Sequence, residues 1–487
     1  MFDIFLDSWQ KEKLMEVTVD ELQSYLDSGE ITSKQLVLMY LNRIAEFDKK
    51  GPELNTVIEL NPNALQIAAA LDVEREYKGS RSKLHGIPVL IKDNMETEDR
   101  MHTSAGSLAL ENHRAKTDAH LVAALKRAGA IVLGKANLTE WANFMADKMP
   151  SGFSSRGGQV LNPYGPGEFD CGGSSSGSGA AIAANFAPLA LGTETSGSIL
   201  SPSSDNSVVG IKPTVGLISR SGIIPISHSQ DTAGPIARTV ADAALMLNYI
   251  TEPDVNDPVT QTHNNIPDDY TKYLNKDRLQ NARIGWSEKI IKHLEDDKQE
   301  LMERAIKELE KCGAKIISLE DFPPTSDWDL NVLHYEFKAG VDAYLANTSK
   351  EVPVKNLADV IHYNYKHKQV ALKYGQERLL RAEETSGTLT EPEYLLSREY
   401  DIYYSTTAGI DAVMDKHKLD ALLSPANLGA NIPARAGYPS ITVPAGYTSG
   451  GKPMGVTFTA KAYQEPELIG LAYSYEQQTA HRKAPNL

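Results

Sequence analysis

Apolar residues recur along the chain at two periods, and each change of period marks a new element. Near the start, Thr18-Val19-Asp20-Glu21 and Thr32-Ser33-Lys34-Gln35 both have the form of a helix capping box. The second precedes Leu36, Met39, Tyr40 and Ile44, which share one helical face. Residues 1–75 therefore read as a helical opening segment packed on the main body. Ile87-Pro88-Val89-Leu90-Ile91 is an unbroken apolar run, the pattern of a short strand buried on both faces. Next, Leu121, Leu125 and Ala128 lie on one helical face, Gly129 stands at its end, and Ile131-Val132-Leu133 reads as a strand. The same order returns in Leu301, Ala305, Leu309 and Cys312, then Gly313, then Ile316-Ile317. Toward the end, Ser440-Ile441-Thr442-Val443 and Val456-Thr457-Phe458-Thr459 flank Ser449-Gly450-Gly451, as in a pair of antiparallel strands. This alternation predicts an α/β fold with a mixed sheet covered by helices. Two stretches stand apart. Residues 252–269, rich in Asp, Asn and Pro, read as a long surface loop, and residues 330–405 read as a helical cap over the sheet.

Length and charge narrow the classes. At roughly 100 to 200 residues per domain, the 487 residues allow two to four domains or one large α/β domain with insertions. Hydrophobic residues make up 41% and charged residues 23%, which supplies a large core and excludes a disordered or fibrous chain. Lys+Arg 49 against Asp+Glu 64 gives a net charge of -15 with no basic arm, so nucleic acid and anionic membrane are not expected partners. Only Cys171 and Cys312 occur, which excludes a disulfide framework and fits a reducing compartment. Met1-Phe2-Asp3-Ile4-Phe5-Leu6-Asp7 carries acid where a signal peptide carries base. The most apolar stretch, residues 179–192, is broken by Asn185 and Pro188 and is shorter than the ~20 residues that cross a bilayer. A cytoplasmic location is expected.

Candidate chemistry concentrates in two glycine- and serine-rich runs, Gly172-Gly173-Ser174-Ser175-Ser176-Gly177-Ser178-Gly179 and Gly192-Thr193-Glu194-Thr195-Ser196-Gly197-Ser198. An alanine-rich helix over residues 180–186 follows the first, and its small side chains let backbone approach backbone, so the two loops are expected to meet. Glycines in such loops allow backbone N–H groups to converge on an anion or a developing oxyanion. The segments around both runs are strand-like or helical, which a flexible linker would not be. Gly173-Ser174-Ser175-Ser176-Gly177 fits the G-x-S-x-G nucleophile elbow, but the residues before it, 165–171, make a poor strand. Ser80-Arg81-Ser82-Lys83 and Ser204-Asp205-Asn206 supply two of the three β-lactamase motifs, and the third, K-T-G, does not occur. No Walker loop, H-E-x-x-H or paired C-x-x-C is present, and His362 and His367 miss the one-face spacing of a helical metal pair. Lys92 follows the buried run directly. It is either a base whose ammonium is desolvated or a lysine snorkelling from a strand end. Cys171, beside the first serine run, reads as a small packed residue rather than a thiol nucleophile.

Together, Gly86-Ile87-Pro88-Val89-Leu90-Ile91-Lys92-Asp93-Asn94, Gly172-Gly173-Ser174-Ser175, Gly192-Thr193-Glu194-Thr195-Ser196-Gly197-Ser198-Ile199 and Gly210-Ile211-Lys212-Pro213-Thr214 resemble the amidase signature family, in the family's order. Residues 437–446 and Pro453-Met454-Gly455-Val456 resemble its carboxy-terminal segments, so the likeness covers nearly the whole chain. The resemblance implies one α/β/α domain over 1–487 and a Ser-cis-Ser-Lys triad with an acyl-enzyme intermediate. By motif matching, Ser198 is the nucleophile, Ser174 follows a cis peptide bond, and Lys92 is the base. The N–H groups of Thr195, Ser196, Gly197 and Ser198 match the family's oxyanion-hole stretch, and Ser175 matches a supporting serine. Asp231 and Arg238 match positions read as structural, holding loops behind the site. No cofactor is implied. Ser196 and Leu200 depart from the common glycine and arginine of the family. The runs 193–195, 222–227 and 229–232 look more like bacterial peptide amidases than like the A-type subunit of glutamyl-tRNA amidotransferase, which is one alternative; a non-catalytic scaffold on the same fold is the other, disfavoured because all three triad positions are filled. The expected substrates are carboxy-terminal peptide amides and simple aliphatic or aromatic carboxamides, handled by a monomer or homodimer. The pocket walls are expected from the 330–405 helices and the region around Trp141 to Met149.

Overall fold

The strands line up in an order that brings the ends of two distant segments side by side. The computed structural model describes residues 4–262, 266–292, 294–322 and 328–487; residues 1–3 of the acidic opening and 263–265 of the expected loop lie outside them. In chain order the strands are β1 (Val57–Leu60), β2 (Pro88–Lys92), β3 (Ile131–Ala136), β4 (Phe153–Ser154), β5 (Gly158–Gln159), β6 (Leu189–Glu194), β7 (Val209–Lys212), β8 (Thr232–Ala237), β9 (Arg283–Trp286), β10 (Lys315–Ser318), β11 (Ala421–Pro425), β12 (Ser440–Tyr447) and β13 (Pro453–Thr459). β4 and β5 form a small hairpin of their own, and the other eleven form one sheet in the order β1-β3-β2-β6-β8-β7-β12-β13-β11-β9-β10. The sheet is mixed. β3, β2 and β6 run parallel, as do β11, β9 and β10, while the strands between them pair antiparallel.

Both faces are covered, which is why the central strands read as continuous apolar runs. Every residue of β2, β3, β6, β7, β8, β11 and β13 is buried. The helices Ser176–Ala183 and Leu200–Asp205 pack on each other and on the sheet, while Val240–Ile250 packs on β8 together with His120–Arg127 and Glu465–Thr479. The two helix-glycine-strand units form as the pattern predicts: His120–Arg127 leads through Gly129 to β3, and Asp296–Lys311 leads through Gly313 to β10. β12 and β13 pair antiparallel.

Both capping boxes are complete, with Thr18 and Glu21 satisfying each other's backbone N–H groups and Thr32 and Gln35 doing the same. The opening segment is less uniformly helical than its pattern suggests, because it also supplies β1 at the edge of the sheet. The 252–269 stretch is not purely a surface loop either. Asp254, Asp257 and Thr260 are buried, and Pro258–Gln261 is a turn of 3-10 helix. Four of the five α-helices between Asn331 and Ser405 build a second apolar cluster with Trp141, Phe144, Ile224 and Ile226. No described helix is long and apolar enough to cross a membrane.

Candidate active site

Lys92 is the last residue of β2, and its neighbour β6 runs parallel with Ile91 opposite Leu191. That register sets the lysine beside the last residues of β6, near the carboxyl ends of two parallel strands, where open α/β sheets commonly bind ligands. Its Nζ lies 2.8 Å from Ser174 Oγ, 2.8 Å from Thr193 Oγ1 and 3.2 Å from Thr193 O. The side chain is fully buried and, among the described residues, has no carboxylate within ion-pair distance. It does not snorkel. Burial pushes its pKa down from the ordinary 10.5 to about 7, against a weaker upward pull from Glu194 and Asp231. A neutral amine near neutral pH is what a general base requires.

The two serine-rich loops meet, as their small residues allow. In the helix Ser176–Ala183, a Cβ on Gly177 would lie 2.3 Å from Thr56 O and 2.4 Å from Asn137 O, so only glycine fits there. Ser175 N donates to Ser198 O at 3.1 Å, and Ser175 Oγ donates to Thr193 O at 3.1 Å and accepts from Thr193 N at 3.2 Å. Ser175 thus ties the first loop to both ends of the second. The Gly173–Ser174 peptide bond is cis, and Ser174 O accepts from Thr139 N at 3.0 Å.

Glu194 shapes the loop around Ser198. Its carboxylate accepts from the N–H groups of Gly197 at 2.8 Å, Ile199 at 2.7 Å and Leu200 at 3.0 Å. This changes one expectation, because the Gly197 N–H is turned toward Glu194 rather than toward the space above Ser198. Among the described residues nothing accepts from the N–H groups of Thr195, Ser196 or Ser198. Ser198 is 8% exposed, and among those residues its hydroxyl makes no hydrogen bond. Lys92 and Ser174 are therefore joined, and Ser198, whose carbonyl accepts from Ser175 N, keeps its hydroxyl without a partner among the described residues.

A cavity of about 220 Å³ opens next to Thr193 and Thr195. Its wall comes mostly from residues 220–232, with Asn94 and Ala142 added. The expectation that the 330–405 helices line it is not met. They stand behind it, where Gly340 packs on Pro225 and Glu336 accepts from Ser227 Oγ at 2.5 Å and from Ser229 N at 3.0 Å. Of the Trp141 to Met149 region, Ala142 reaches the cavity. Asp231 joins wall and loop, accepting from Ile226 N at 2.8 Å, Ser227 N at 2.9 Å and Thr195 Oγ1 at 2.5 Å. Arg238 lies elsewhere and donates to the carbonyls of Ala187 and Val17. Thr193, Asn94 and Glu194 all stand inside the quoted motifs, yet no local pattern marks them for these contacts.

The remaining candidates are accounted for by packing. Cys171 is buried with Val160 and Ala180, and burial raises its thiol pKa to about 12. Residues 165–171 form no strand, so the elbow geometry is absent. His367 stacks on Tyr363 at 4.1 Å. Among the described residues, no three His, Cys, Asp or Glu side chains gather to hold a metal ion.

Residues 35–469 match the family model described as Amidase. The solved structure of a peptide amidase from Stenotrophomonas maltophilia is 45% identical with a TM-score of 0.92, over 97% of this chain and 99% of that one. A probable amidase of Arabidopsis thaliana is 41% identical over 97% of this chain and 92% of its own. The A-type subunit of the glutamyl-tRNA(Gln) amidotransferase of Thermoanaerobacter pseudethanolicus is 32% identical over 97% of this chain and 98% of its own.

Proposed function

The chain belongs to the amidase family, and from that premise we propose that it hydrolyses carboxamides through Ser198, with Ser174 and Lys92 moving the proton. The observation that carries this reading is the buried contact of Lys92 Nζ with Ser174 Oγ at 2.8 Å, with Ser198 tied through its carbonyl to Ser175, the next residue. A serine hydroxyl is a weak nucleophile until a base takes its proton. Neutral Lys92 takes it by way of Ser174 once Ser198 turns to meet that hydroxyl. Ser198 Oγ attacks the amide carbon, and the N–H groups of Thr195, Ser196 and Ser198 receive the oxyanion. Ser174 returns the proton to the departing nitrogen, ammonia leaves, and water cleaves the acyl-enzyme. Ser175, Glu194 and Asp231 hold the two loops in place. The chain acts as one domain over 1–487, with the 330–405 helices as a cap that backs the cavity wall.

Carboxy-terminal peptide amides lead the substrates, with simple aliphatic and aromatic carboxamides beside them. The likeness to a solved peptide amidase at 45% identity, against 32% for an amidotransferase component, supports that order. The test is ammonia release from an amidated dipeptide, an aliphatic amide and an aromatic amide, with Ser198→Ala as control. Release from the peptide that vanishes in the variant is expected. Silence on all three, with activity on glutamine only beside partner subunits, would contradict it.

A further inference from the structure

One face of a cap helix runs along the back of the cavity wall. In the helix Asn331–Ala346, Glu336, Gly340 and Tyr344 follow each other at a spacing of four and so share that face. Each meets a different part of the wall. The Tyr344 hydroxyl donates to Glu96 Oε1 at 2.9 Å and lies 2.9 Å from His113 Nε2. A Cβ on Gly340 would lie 3.0 Å from Pro225 Cγ. Glu336 Oε2 accepts from Ser227 Oγ at 2.5 Å, from Ser229 N at 3.0 Å and from Ser229 Oγ at 2.9 Å, while its Oε1 accepts from the Tyr394 hydroxyl at 2.8 Å.

The wall is itself tied to the segment that carries Lys92. Glu96 N donates to Gly222 O at 2.8 Å and Ile224 N donates to Asn94 O at 2.9 Å, so residues 222–224 run beside residues 94–96. Beyond Pro225, two carboxylates hold Ser227. Its hydroxyl donates to Glu336, and its N–H donates to Asp231 Oδ2 at 2.9 Å. Asp231 in turn accepts from Thr195 Oγ1, in the loop that carries Ser198, at 2.5 Å. Glu336 therefore reaches that loop through Ser227 and Asp231 without lining the cavity.

Glu336 is 1% exposed, and its one ion-pair partner among the described residues is His228, at 3.5 Å, with a side chain 57% exposed. Burying a carboxylate is costly unless hydrogen bonds or a partner charge offset it, and apolar residues of similar volume often replace buried ion pairs without loss of stability. Seating the helix does not by itself call for a carboxylate here. Three donors from one turn of chain, residues 227–229, do.

We propose that Glu336 is a positioning residue that fixes the shape of the cavity, and with it the enzyme's preference among amides, and that Gly340 sets how closely the helix approaches Pro225. The proposal rests on the hydrolysis of amides through Ser198 given above. Neither residue touches substrate. Glu336 holds the turn that ends the apolar wall, and Gly340 has no side chain to push that wall inward.

The experiment compares two blocked dipeptide amides, one ending in glycinamide and one in phenylalaninamide, by ammonia release. Wild-type enzyme is expected to cleave both. Gly340→Ala favours the helix and presses a methyl group on Pro225, which lines the cavity. It is expected to lower the ratio of phenylalaninamide to glycinamide kcat/KM by about tenfold or more. Glu336→Gln leaves one carbonyl oxygen for four donors. It is expected to raise KM for the phenylalaninamide by about tenfold and to keep kcat on the glycinamide within about twofold. Melting transitions check that each variant folds, and Gly340→Ala decides the matter if Glu336→Gln does not. A ratio unmoved in either folded variant, or an equal fall in kcat on both substrates, would overturn the positioning role and leave the amidase reading standing. Cleavage of the glycinamide alone by wild type would overturn it as well. Cleavage of neither would remove the amidase reading on which the proposal rests.

Discussion

Lys92 Nζ and Ser174 Oγ lie 2.8 Å apart, and both residues are fully buried. β2 carries one, and the loop before the helix Ser176–Ala183 carries the other. Burial that favours the neutral amine also removes the solvent that would compete for the serine hydroxyl. The consequences reach activity, stability and the thiol beside the site.

Activity should follow the state of Lys92. With its pKa at about 7, kcat/KM on an amide should rise through that pH and level off above it. Thr193→Val removes one acceptor from the lysine Nζ and keeps the shape. The charged form donates more strongly than the neutral one, so its loss of support should move the rise to lower pH. A pH profile of each protein checks both statements.

Stability should respond in the same window. Lys92 has the ordinary pKa of 10.5 in the unfolded chain, and burial lowers it to about 7 in the folded one. Between those values the unfolded chain binds the extra proton, so the stability this site contributes rises with pH from about 7 to about 10.5 and is lost below. Lys92→Met removes the titration, and its Tm relative to wild type should therefore be higher at pH 6 than at pH 10. Thermal melts of the two proteins at both values test the sign.

Glu194 is expected to matter without touching substrate. Glu194→Gln leaves one carbonyl oxygen where three N–H groups now find a carboxylate, and it turns an NH₂ group toward a donor. Displacement of the Ser198 loop by about 1 Å lowers kcat by roughly 10²-fold. Steady-state kinetics should show the loss in kcat more than in KM.

The thiol should prove dispensable. Cys171 is buried, with a pKa raised to about 12, and Cys171→Ala should keep full activity. Iodoacetamide at pH 8 should leave wild-type turnover unchanged over the same period that it modifies a free thiol. Loss of turnover in either case would point to a sulfur nucleophile.

What the sequence reveals depends on how far apart the interacting groups stand. The capping boxes are legible because Thr18 and Glu21 are three residues apart. Lys92, Ser174 and Ser198 stand out because each sits in a motif that resembles the family's, and the glycines of the two runs hint at their close approach, as at Gly192, where a Cβ would lie 2.9 Å from Ser175 Oγ. The cavity wall is not legible, because its shape depends on pairs such as Arg220 with Asp257, 37 positions apart, and Ser227 with Glu336, 109 apart. The direction of the Gly197 N–H is hidden for a different reason. A motif fixes which residue occupies a position but not which acceptor claims its backbone.

The most direct measurement is turnover of an amidated dipeptide by wild type, Ser198→Ala and Lys92→Ala, each checked for an intact fold by its melting transition. The account predicts ammonia release by wild type, none above background for Ser198→Ala, and a loss of roughly 10³-fold or more for Lys92→Ala. Full activity in either folded variant would contradict it.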